Sequence, residues 1–188
     1  MEFQLDLNTT WFILVGVLLA GYAFLDGFDL GVGALHLFIK GDTNRRVLIN
    51  SIGPVWDGNE VWLVTGGGAL FAAFPHVYAT VFSGFYTALM LLLVTLIFRA
   101  VAIEFRSKQP MQWWRNAWDI AFSVSSIAIA LVMGTALGNL IVGVPVQADK
   151  ELSISLLEIL NPFSLMVGIT TVALFMMHGA IYLTMKTD

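Results

Sequence analysis

Long uninterrupted apolar runs, rather than alternation, set the pattern of this chain. Residues 77–98, 120–144 and 163–185 contain no Asp, Glu, Lys or Arg, and each is long enough for a helix to cross a bilayer, which takes roughly 20 residues. Two further runs, 11–39 and 52–74, are equally long but carry acids: Asp26 and Asp29 in the first, Asp57 and Glu60 near the start of the second. None shows the period-two alternation of a membrane barrel strand. The pattern predicts an all-α integral membrane protein, an antiparallel transmembrane helix bundle of five spans (a four-helix bundle plus one helix) forming a single domain over residues 1–188.

Composition agrees with that pattern. Hydrophobic residues make up 58% of the 188, charged residues 12%, and the mean hydropathy is +0.83, too little charge to solvate a globule of this size. The nine Lys and Arg form no dense run and the formal charge is −4, so nothing points to nucleic acid as a partner. Cysteine is absent, which excludes disulfides, thiolate metal sites and cysteine nucleophiles. Glu2 and Asp6 stand where a signal peptide would carry positive charge, so the first run is expected to be a retained helix.

The basic residues orient the bundle. Lys40, Arg45 and Arg46 lie between the first two runs, Arg106, Lys108 and Arg115 between the third and fourth, and Lys186 after the fifth, whereas Lys150 alone sits in the other connections. This bias predicts an N-terminus outside, the basic loops in the cytoplasm and the 143–162 loop outside. Counted from the nearest basic loop at about 1.5 Å per residue, Asp29 lies about 16 Å deep, Asp57 and Arg99 about 10 Å and Asp119 about 6 Å. The embedded charges therefore fall in the cytoplasmic half or near the midplane.

A carboxylate at such depth costs several kcal/mol unless paired, protonated or hydrated, which makes intramembrane acids functional candidates. Asp26 with Asp29, and Asp57 with Glu60, are three residues apart, so each pair shares a helix face. Two readings stand side by side. The acids of the second run can cap a helix N-terminus and Asp26 can clamp helices together; alternatively Asp57, Glu60, Asp26, Asp29 and Asp119 form a proton path opening to the cytoplasm, with Arg99 as the counter-charge. Gly27 with Gly31, and Gly134 with Gly138, have the spacing of closely packed helices, and Trp113, Trp114 and Trp118 look like an interfacial belt. His36, His76 and His178 are not placed to make a bis-histidine iron site, so no haem ligation or other metal is assigned to this chain.

The motifs DGFDLGVG at 26–33, INSIGPVWDGNEVWLVTGGGALFAAFP at 49–75, FSGFYTALMLLLVTLIFRAVAIEFRSK at 82–108, WRNAWD at 114–119 and LNPFSLMVG at 160–168 resemble subunit II of the cytochrome bd-type quinol oxidases. They occur in order and cover nearly the whole chain. The resemblance implies a bacterial or archaeal plasma-membrane terminal oxidase that oxidises quinol and reduces dioxygen to water. Its haems, of b and d type, would reside in a partner, subunit I. Subunit II would support them and supply a proton route through a Trp-Asp-Gly-Asn motif, here Trp56, Asp57, Gly58 and Asn59. A hydrophobic dioxygen route is associated with Trp62, and the family's acids and arginine match Asp26, Asp29, Asp119 and Arg99. Small accessory subunits, membrane lipid and a quinone in a structural role are further implied partners. The family's subunit II has a second, related helical half, so the resemblance is to its N-terminal half, and no internal repeat is found here. From the acid pairs alone, a proton-coupled transporter or channel, or a purely structural assembly subunit, remain as other readings.

Overall fold

The computed structural model describes residues 6–146, 152 and 156–187; Glu2 and Lys150 of the charge argument lie outside the described residues. The described residues are almost all helical, with one isolated bridge among them between Val146 and Leu152. Helix α1 (Leu7–Leu35) runs on into a tight turn at His36–Phe38, and α2 (Asp42–Ile52) and α3 (Trp56–Ala73) follow. Then come α4 (Pro75–Gly84), α5 (Tyr86–Phe105) with a turn at Arg106–Lys108, α6 (Gln112–Val142), the short α7 (Leu156–Ile159) and α8 (Pro162–Lys186). The Asp6 carboxylate caps α1 by accepting from the Thr9 amide at 2.7 Å, and this bond holds its pKa below the usual carboxylate value.

Among the described residues four helical stretches are long and apolar enough to cross a membrane: Leu7–Phe38, Tyr86–Lys108, Gln112–Val142 and Pro162–Lys186. The expected second span, 52–74, becomes α3, 18 residues long, whose first turn is polar enough to keep it out of that set. The expected third span is displaced: its start forms α4, the helix bends at Phe85, and the membrane-length helix begins at Tyr86. Phe85 tucks under Leu152 and Ile159, and Gly84 leaves no room for a side chain against Leu152. The fourth span starts at Gln112 rather than residue 120. Arg99 and Asp119 thus lie inside helices, because each is neutralised there instead of being left to lipid. The basic 42–52 connection also folds, as α2, seating Leu48, Ile49 and Ile52 in the core.

Helix α6 is the centre of the bundle. Its most apolar window is 44% buried, against 17–22% for the other three spans, and it packs on α1, α5 and α8. Glycines set the closest crossings. Gly134 and Gly138 of α6 meet Thr171 and Ser164 of α8, and Gly31 of α1 meets the backbone of Phe175 and Gly179 in α8, the close approach that drives helix association where the hydrophobic effect does not. These pairings make α6 antiparallel to α8, and α1 parallel to α8. Beyond the helix contacts, large apolar side chains such as Phe12, Phe24, Val64, Leu137 and Met185 point outward, as a lipid-facing surface requires.

Candidate functional site

Four polar positions of α1 and its continuing turn, Tyr22, Asp26, Asp29 and His36, recur on one stripe with Gly33 among them, all buried. A second stripe on α5 and its following turn holds Thr95, Arg99, Ala102 and Arg106, also buried. Facing stripes of opposite charge give two clusters, one deep and one near the basic loops.

The deep cluster centres on Arg99. Its guanidinium donates from Nη2 to Asp26 Oδ1 at 2.7 Å and from Nη1 to Asp26 Oδ2 at 3.2 Å, a two-pronged pair with both side chains fully buried. Glu60 of α3, 21% exposed, approaches Arg99 Nη1 with Oε2 at 3.5 Å. Asn59 donates to Asp29 Oδ2 at 2.8 Å and to the Leu25 carbonyl at 3.2 Å, tying the start of α3 to α1. Asp26 and Glu60 therefore share one guanidinium, and Asn59 holds Asp29 beside them. Asp29 Oδ1 is buried and has no hydrogen-bond partner.

The second cluster gathers on Asp119 of α6. Its Oδ1 is 2.7 Å from His36 Nε2 and accepts from Arg106 Nε, and its Oδ2 accepts from Arg45 Nη1 at 3.1 Å and Arg106 Nη2 at 3.2 Å. Asp42 extends the set, accepting from Arg106 at 2.8 Å and Arg115 at 2.7 Å. Both Asp119 oxygens are occupied. Such a carboxylate is a clamp, with no free lone pair directed at a transferable proton.

The sequence-derived site residues distribute unequally over these clusters. Asp26, Asp29, Asn59, Glu60 and Arg99 come together. Asp119 stands apart in its own knot. Asp57 and Gly58 face outward from α3 and Trp56 is half-buried, so Asp57 touches neither cluster directly, although its charge reaches Glu60 one turn on. Trp62 lies against Gly21 of α1, where a side chain would collide with its ring. Three participants were not singled out from the sequence: Tyr22, His36 as an Asp119 partner, and Asp42. The first two were within reach, since they continue the stripe of Asp26 and Asp29 at helical spacing.

The histidines are spread over separate elements. His36 bonds Asp119 through Nε2, and His178 lies between Phe24 and Phe28 with ring centroids at 5.3 and 5.7 Å. Among the described residues no group of three or more His, Asp or Glu is arranged to hold a metal.

Comparison with known proteins gives this arrangement a family. The profile of the cytochrome bd terminal oxidase subunit II family matches residues 7–188. Cytochrome bd-I ubiquinol oxidase subunit 2 of Escherichia coli (strain K12) is 50% identical over 186 residues, covering 96% of this chain and 49% of that protein. Cytochrome bd ubiquinol oxidase subunit 2 of Bacillus subtilis (strain 168) is 43% identical over 183 residues, covering 97% and 54%. The chain spans about half the length of the curated relatives it matches. With a profile match running from the start of α1 to the last residue, the chain belongs to the cytochrome bd terminal oxidase subunit II family.

Proposed function

We propose that this chain is the non-haem subunit of a bd-type terminal oxidase complex of a bacterial or archaeal plasma membrane, oxidising membrane quinol and reducing dioxygen to water in aerobic respiration. It is inactive alone. Haem, of b and d type, belongs to the partner subunit I and supplies the redox chemistry. Quinol and lipid contact the complex, small accessory subunits join it, and a quinone bound by this chain plays a structural part.

The observation that carries the reading is the buried Arg99 cluster, in which Asp26 of α1 and Glu60 of α3 share one guanidinium of α5 and Asn59 holds Asp29 beside them. Reduction of dioxygen to water consumes protons, and taking them from the cytoplasm separates charge without a pump. Asp57 is the entry residue, Glu60 carries the proton inward along the first turn of α3, and the Asp26, Asp29 and Arg99 cluster receives it. Asn59 holds that turn against α1. The bare Asp29 Oδ1 provides a lone pair that Asp119 lacks, so Asp119 serves the clamp rather than the path. In this arrangement α3 crosses the membrane as the fifth span, its exposed Asp57 facing subunit I instead of lipid, and the N-terminus lies outside. Dioxygen, being apolar, arrives through packed side chains near Trp62, with Trp56 at the mouth of the motif.

Replacement of Asp57 by Asn, and separately of Glu60 by Gln, in the assembled complex tests this. Oxygen consumption per haem should fall by about 10²-fold, in the range expected for loss of a positioned proton carrier, with the haem spectrum intact. Unchanged turnover per haem would defeat the proton role and leave the assembly role; proton flux by the chain alone in liposomes would favour a transporter.

A further inference from the structure

The cations at the basic end of the bundle divide into two sets. Arg45, Arg106 and Arg115 are bound inward by Asp119 and Asp42. Asp42 is the tie between connections far apart in sequence, since one carboxylate accepts from both Arg106 and Arg115 and so holds the 40–46 segment against the 106–115 segment. Lys40, Arg46 and Lys108 are left exposed on the joined surface, with no ion pair among the described residues. The acids of this end are Asp42, Asp57, Glu104 and Asp119, against seven basic side chains once Lys186 is included, so the surface stays positive.

Close in sequence to these cations, large apolar or aromatic side chains are exposed among the polar ones: Phe38 at 71%, Trp113 at 62%, Phe105 and Met111. Trp113, Trp114 and Trp118 form edge-to-face contacts in sequence, and Trp114 donates to the Phe105 carbonyl at 2.9 Å, fixing the row beside Lys108. Beside them α2, an 11-residue helix, buries Leu48, Ile49 and Ile52 and presents Arg46 outward. Unpaired cations bordered by fixed tryptophans at the ends of membrane-length helices match a charged phosphate above acyl chains. An acidic soluble protein would match the cations but leave the aromatic border exposed to water.

We propose that this surface, formed by Lys40, Arg46 and Lys108 and bordered by Phe38, Met111 and Trp113, is a binding site for the headgroup phosphate of an anionic phospholipid, and that Asp42 positions the two basic segments that make it. The lipid sits at the joint between loops, so it stabilises the assembled protein as well as decorating it.

The test uses the protein purified with its co-assembling subunits, delipidated, and returned to phosphatidylcholine bilayers with or without phosphatidylglycerol. Phosphatidylglycerol retained through purification is counted by mass spectrometry, and thermal unfolding is followed in both bilayers. Wild type should retain the anionic lipid and gain thermal stability from it. The combined Lys40→Gln, Arg46→Gln, Lys108→Gln variant should retain on the order of tenfold less and gain nothing, while Lys186→Gln, a basic residue of the same end outside the patch, should behave as wild type. Inorganic phosphate at millimolar level should neither stabilise the protein nor displace the lipid. Equal retention by wild type and the triple variant, an equal loss in Lys186→Gln, the same stabilisation by inorganic phosphate, or capture of an acidic polypeptide in place of lipid would each overturn the proposal. None of these readouts depends on oxidase turnover.

Discussion

Arg99 shows what a single buried residue commits the rest of the chain to. Removing one partner of a buried ion pair leaves a bare charge and costs about 3–5 kcal/mol, whereas removing both and filling the space is often near neutral. Arg99→Leu should therefore destabilise the protein by about 3–5 kcal/mol, and the Asp26→Leu, Arg99→Leu double variant by less than Arg99→Leu alone. Thermal unfolding of the three proteins in one detergent checks this, and additive losses would contradict it. The acids of this cluster were legible in the sequence because a carboxylate in an apolar run has few explanations. Tyr22 and His36 were less so: a tyrosine or histidine in a membrane helix is tolerated in many settings, and only the stripe they share with Asp26 and Asp29 marks them. That Asp57 faces away while Glu60 turns inward was not legible at all, since residues three apart share a face only to within about 60° of helix rotation, enough to separate a surface from a core.

Among the helices, the glycines divide by what surrounds them. At Gly31 a Cβ would meet the Phe175 backbone and, at 2.9 Å, the Gly179 amide nitrogen, neither of which can swing aside, whereas at Gly67 nothing lies within 4 Å. Gly31→Ala should push α1 from α8 and lower stability by more than about 1 kcal/mol. Gly67→Ala should raise the stability of the isolated chain by up to about 1 kcal/mol through helix propensity, while weakening assembly with the partner if α3 is the face that docks. Unfolding and co-purification measured together read both effects. Element type followed directly from the apolar runs, and the small-residue spacings at Gly27 and Gly31 and at Gly134 and Gly138 matched real crossings. Boundaries were misjudged wherever a charge looked like an end. Arg99 and Asp119 looked like stops because the partners that make them tolerable, Asp26 and His36, lie 73 and 83 residues away.

For the whole molecule, the proposed orientation can be read by chemistry, because the chain has no cysteine to interfere. Single substitutions Ser107→Cys and Gln109→Cys in the basic connection, and Leu160→Cys before α8, should label from opposite sides of the membrane with an impermeant maleimide, the first two only after the inner face is opened. Labelling of Ser107→Cys and Gln109→Cys from the outer face, with Leu160→Cys reached only from the inner one, would refute the five-span arrangement and with it the crossing of α3, because α6 alone separates the two positions.

The Asp119 knot also imposes an order on biosynthesis. His36 and Arg45 leave the ribosome long before the aspartate that unites them, and Arg106 only shortly before it. Until α6 is made, the carboxyl-terminal end of α1 and the two basic connections hold unmatched cations, and the first helix is anchored at the membrane without its final partners. Arrival of Asp119 converts three waiting cationic or imidazole groups into one closed unit in a single step. A chain halted before residue 119 should remain accessible to protease at the 40–46 segment, and one halted after α6 has emerged should be protected there.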